Sequence, residues 1–108
     1  MELRTGERRA LEEVKRRLKG EFPVERFIVY GSVARGEARE DSDLDLLVIA
    51  SRPVSHREQY AMVDEVCEVN LEYGSNISLL IVDGDNWERG LLSAMPLRAE
   101  VERDGVAI

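Results

Sequence analysis

Apolar residues along this chain recur in two rhythms, one helical and one of short unbroken runs. From Thr5 to Lys19, Leu11, Val14 and Leu18 make a single stripe, while Arg8, Arg9, Lys15, Arg16, Arg17 and Lys19 fall on the other faces. That period predicts an amphipathic helix, with Thr5 as its cap and Gly20 as its stop. The segment GEFPVER turns the chain into the apolar run Arg26–Tyr30, a predicted strand. Val33–Arg35 predicts a short helix, Gly36–Ser42 a polar loop and Asp43–Ala50 a second strand. After a break at Pro53, Ser55 caps a long helix reaching Tyr73. Tyr60, Val63, Cys67 and Leu71 are its expected core positions, and Met62, Val66 and Val69 widen the stripe. Gly74-Ser75-Asn76 is a turn, and Ile77–Val82 a third strand. Asp83-Gly84-Asp85 turns into a short helix over Asn86–Ser93. Pro96 opens a last helix to Arg103, Gly105 ends it, and Val106–Ile108 adds a small edge strand. This order predicts an α/β (α+β) fold, a small mixed β-sheet with helices packed on it.

Composition narrows the function. A chain of 108 residues is expected to form one domain, 1–108, with one modest core. No apolar run approaches the roughly 18 residues that span a bilayer, so no membrane association is expected. The polar start MELRTGERR does not read as a signal peptide. A single cysteine, Cys67, leaves no internal disulfide and no cysteine-based metal site, and a reducing cytoplasmic location is expected. The formal net charge of −7 argues against a long nucleic-acid substrate, which needs a basic surface.

The chemistry concentrates in GSVARGEAREDSDLDLLV, Gly31–Val48. Asp43 and Asp45 stand one residue apart at the head of the second strand, so both project to one face while Leu44 and Leu46 point the other way. Two carboxylates held together repel unless a divalent cation lies between them, and hard oxygen ligands suit Mg²⁺. Gly31-Ser32, ending the first strand, offers backbone N–H groups and a hydroxyl at a helix start, a setting that holds phosphate. Taken alone, D-x-D is more often a solvated acidic strand end or N-terminal turn, and Gly-Ser more often an ordinary turn. Their combination on two strands points to nucleotide phosphate chemistry. Asp41, Asp43 and Asp45 also begin like a calcium-binding loop, but Leu46 and Arg52 stand where that loop needs Gly and Glu.

Gly31-Ser32, ten intervening residues and Asp43-x-Asp45 resemble the signature of the DNA-polymerase-β-like nucleotidyltransferases. Arg35, Gly36, Ser42 and Leu46 extend the resemblance to the minimal nucleotidyltransferase branch, densely over Phe27–Ile49. The resemblance implies transfer of a nucleoside monophosphate, AMP from ATP, to a hydroxyl group. Gly31 and Ser32 would hold the nucleoside triphosphate, and Asp43 and Asp45 one or two Mg²⁺ ions. It further implies an antitoxin role, with a tyrosine of a helical HEPN-type toxin as acceptor. Arg35 either neutralises phosphate or pairs with an acid such as Glu37; Arg39, Glu37, Glu40 and Asp41 read as a solvated loop.

One position departs from the family. Its members usually carry a third acid on the third motif strand, and the position of this chain that best aligns with it is Ser78. Serine is no base near neutral pH and a poor Mg²⁺ ligand. Asp83 lies at the wrong offset and reads as a cap, and Glu72 ends the preceding helix. Two readings therefore stand: an active enzyme, and a degenerate module that binds nucleotide or blocks a partner. His56 is expected at the surface, Cys67 in the core, and Trp87 and Tyr73 as packing residues. The strand edges and the apolar tail Val106–Ile108 leave room for a homo-oligomer.

Overall fold

The structure, a computed structural model, describes residues 1–39 and 41–108, so Glu40 lies outside it. The elements are α1 (Thr5–Glu21), β1 (Val24–Tyr30), α2 (Gly31–Arg35), β2 (Leu44–Ala50), α3 (His56–Tyr73), β3 (Ile77–Asp83), α4 (Gly84–Arg89), a 3-10 turn (Leu91–Ala94), α5 (Pro96–Asp104) and β4 (Val106–Ala107). The strands form one mixed sheet in the order β3-β2-β1-β4. β2 runs antiparallel to β1 and parallel to β3, and β4 closes the other edge antiparallel to β1. The parallel pair needs a long crossover, which α3 supplies.

Alternation along β2 divides the core in two. Leu44, Leu46 and Val48 pack with Ala10, Leu11, Val14 and Leu18 of α1 and Met62, Val66 and Val69 of α3. Leu47 and Ile49 face the other way, onto Trp87 of α4 and Val101 of α5, with Leu97 beside them. Trp87 is buried as expected of a packing residue, with the Arg98 guanidinium 5.0 Å from its ring centroid. Among the described residues, no helix is long and apolar enough to cross a membrane.

Three local expectations are corrected. Arg4, not Thr5, precedes the first helical residue, and its N–H donates to Glu7 Oε1 at 3.0 Å. Gly20 lies within α1, because Phe22 N–H closes the helix on Leu18 O at 3.0 Å. The expected helix over Asn86–Ser93 starts earlier, at Gly84, and breaks at Gly90, followed by the 3-10 turn.

The largest correction concerns α3. Its buried stripe is Met62, Val66 and Val69, whereas Tyr60 is 71% exposed, Leu71 86% exposed, and Val63 and Cys67 also face solvent. The helix is apolar on two faces, and packing selects one. Arg17 of α1 lies along the resulting seam, reaching Glu13 at 2.8 Å and, on α3, Glu65, Glu68 and Glu72 at 3.3, 3.1 and 3.3 Å. The cap behaved as the sequence predicts: Ser55 Oγ accepts from Glu58 N–H, and the Glu58 carboxylate accepts from Ser55 N–H.

Candidate functional site

The end of β1, the start of β2 and the start of β3 meet at one end of the sheet, with Tyr30 opposite Asp45 and Asp45 beside Ser78. The chain leaves β1 through Gly31 at φ +76°, a left-handed conformation natural to glycine. Gly31 is buried, and a Cβ added there would collide with Asp45 Oδ2 and lie 3.3 Å from Asp45 Cγ. The Gly31 backbone and the Asp45 carboxylate are therefore in close apposition. Ser32 follows in the first turn of α2, and Gly36, also left-handed at φ +74°, closes that helix.

Asp45 is half-buried and Asp43 exposed just ahead of the strand. Asn76 Nδ2 donates to Asp43 Oδ1, which orients that carboxylate from the turn before β3. Among the described residues neither aspartate forms a salt bridge. Burial, then the charges of Asp43 and Glu100, push the Asp45 carboxyl above its usual range, while Arg35 draws it back. Tyr30 is pushed up by burial, by Asp45 and by Glu100. A crowded, negatively charged patch of this kind favours a cation.

The donor set fits Mg²⁺, which binds through one or two carboxylates and completes its shell with water and substrate phosphates. Among the described residues no group of three or more His, Cys, Asp or Glu is arranged to hold a metal.

Ser78 is the β3 residue in register with Asp45 and is exposed, so β3 brings no carboxylate there. Asp83 pairs in register with Ala50 at the far end of β2, and its Oδ2 caps α4 by accepting from Asn86 N–H at 3.0 Å. Glu72 is held by Arg17. Neither joins the aspartates. Arg35 takes the acidic pairing among its two expected roles, with Nε 3.2 Å from Glu37 Oε2 and Nη1 3.3 Å from Glu100 Oε1. His56 is exposed in the first turn of α3. Asn76 and Glu100 were not legible as site residues. The GSN turn carried a weak signal for Asn76, and Glu100 is brought in only by the packing of α5.

Comparison with known proteins agrees with this architecture. The family model described as nucleotidyltransferase domain matches residues 8–101. A protein of Methanocaldococcus jannaschii, provisionally named a protein adenylyltransferase, is 45% identical over 58 residues, 52% of this chain and 40% of the relative. The chain thus matches well under half the length of that relative. A solved structure provisionally described as a minimal nucleotidyltransferase is 34% identical, with a TM-score of 0.60, covering 93% of this chain and 91% of the other. A toxin–antitoxin complex solved with AMP-PNP shares the fold at 18% identity and a TM-score of 0.58, covering 92% of this chain and 69% of its own.

Proposed function

The chain belongs to the nucleotidyltransferase domain family, and from that premise we propose that it transfers AMP from ATP to a hydroxyl acceptor, releasing pyrophosphate. The observation that carries the reading is the apposition of Gly31 and Asp45, with Asp43 beside them and no basic partner on either carboxylate among the described residues. In this reading the Gly31-Ser32 backbone and the Ser32 hydroxyl cradle the triphosphate, and Arg35 swings from its acidic partners to neutralise it. Asp43 and Asp45 hold one or two Mg²⁺ ions, which when bound with ATP supply neutralisation of the charge developing on the transferred group. AMP transfer draws support from the name of the archaeal relative and from the AMP-PNP bound to a protein of the same fold. The acceptor we propose is a tyrosine of a HEPN-type helical toxin, with this chain as the antitoxin. The toxin–antitoxin complex that shares this fold supports that pairing. The one-domain organisation and a cytoplasmic setting complete the proposal.

A second reading, a non-catalytic nucleotide-binding or partner-blocking module, is favoured by Ser78 lying beside Asp45 where family members place an acid. Label from α-³²P-ATP and Mg²⁺, offered to host lysate and to a co-expressed HEPN-type protein, separates the two. The enzyme reading expects a labelled band that is lost with Asp43→Ala or Asp45→Ala, a drop of about a hundredfold or more. No label with any of the four nucleotides, the partner being present, counts against the enzyme and leaves the module as the better reading.

A further inference from the structure

We propose that Glu100 of α5 is the carboxylate that takes the proton from the attacking hydroxyl, in place of the acid that β3 lacks. The inference rests on the transferase reading above. Leu97 and Val101 pack against the same sheet face as Leu47 and Ile49, which in β2 is also the face of Asp45. Between those two anchors, Glu100 reaches Arg35 Nη1 at 3.3 Å. α5 therefore places a carboxylate over the end of the sheet where Tyr30, Asp45 and α2 meet.

Other carboxylates stand elsewhere. Asp83 caps α4 at the far end of β2, Glu72 at the end of α3 reaches Arg17 of α1, and Glu102 reaches Arg98 within α5. Glu37 also contacts Arg35, but from an exposed loop, whereas Glu100 stands on a helix anchored to the sheet by Leu97 and Val101. Its side chain is 36% exposed, so an acceptor hydroxyl can reach it. An ion pair this exposed is weak, on the order of 0–1 kcal/mol. Triphosphate oxygens can therefore take Arg35 away from Glu100, which leaves the carboxylate free as the substrate enters.

The step balances. The acceptor oxygen forms a bond to the α-phosphorus, and the bond from that phosphorus to the bridging oxygen breaks. Pyrophosphate leaves with the electron pair, and the hydroxyl proton passes to a Glu100 carboxylate oxygen. A positioned base of this kind is worth roughly 10²–10⁴-fold in rate.

The test uses the full chain, α-³²P-ATP, Mg²⁺ and the acceptor labelled by the wild type. Glu100→Gln is expected to lower kcat about a hundredfold, with the KM for ATP and the thermal melting point unchanged. Two rescues accompany it: Ser78→Asp in the E100Q background, which puts a carboxylate beside Asp45, and formate added to Glu100→Ala. Recovery of kcat in either supports the assignment. The proposal is overturned if E100Q keeps kcat within about threefold of the wild type. It is overturned equally if the loss lies wholly in the KM for ATP, which would leave Glu100 only positioning Arg35, or if neither rescue restores kcat. A wild type that transfers nothing sinks the transferase reading itself, an outcome distinct from an active wild type with an active E100Q.

Discussion

A methyl group at Gly31 would meet the Asp45 carboxylate while forcing a side chain into a left-handed backbone at φ +76°. Both effects act on the same few atoms, so Gly31→Ala is expected to cost about 1–3 kcal/mol of stability and most of any transfer activity. Denaturant melts and label transfer check the two together. Asp45 carries the opposite burden. Its carboxyl is pushed above the usual range by burial, then by Asp43 and Glu100. A carboxyl raised in the folded state stabilises the fold when protonated, and that contribution is lost as pH rises through its folded pKa. At neutral pH the ionised Asp45 is therefore a local cost in the metal-free protein. Asp45→Asn is expected to raise the melting temperature of the metal-free chain by roughly a few degrees while removing activity. A lower melting temperature in the variant would show that the aspartate is stabilised by contacts other than those described.

At the scale of elements, capping and ion pairing hold the ends that the core does not reach. Arg52 first, and then the Ser55 backbone N–H, lower the Glu58 carboxyl from 4.5 to about 2. A depressed carboxyl contributes stability that is present above its unfolded pKa and lost as pH falls toward the folded value. Unfolding free energy should therefore decline between about pH 4.5 and pH 2, and Glu58→Gln should flatten that decline as followed by circular dichroism. Glu13, held by Arg16 and then Arg17 and also lowered to about 2, contributes over the same interval. Because it remains in the variant, the slope should shrink without vanishing.

Across the whole molecule, two cores lie on opposite faces of one sheet, and the candidate site sits at the end where β1 and β2 exchange direction. The exposed row on α3 tests how that arrangement partitions stability. Met62 is fully buried between α3 and the sheet, whereas Leu71 is 86% exposed. Met62→Ala is expected to cost about 2–5 kcal/mol, and Leu71→Ser to stay within about 0.5 kcal/mol. Equal losses in the two variants would mean that the Leu71 face is covered in solution.

Much of this was written in the chain. Element order followed from hydrophobic period and from local punctuation such as Ser55, Gly74 and Pro96, because those signals act over a few residues. The pairing of Gly31-Ser32 with Asp43 and Asp45 was legible for the same reason: strand alternation fixes which side chains share a face before any packing is known. The roll of α3 was not legible. Its sequence offers two apolar faces, and the choice belongs to the long-range packing of Met62, Val66 and Val69 onto α1 and the sheet. Nor could the sequence show which residues reach the aspartates' end of the sheet. The strand register puts Ser78 beside Asp45, and the docking of α5 brings Glu100 to Arg35. Contacts between residues distant in sequence depend on how whole elements pack, and that is decided only when the sheet and its helices come together.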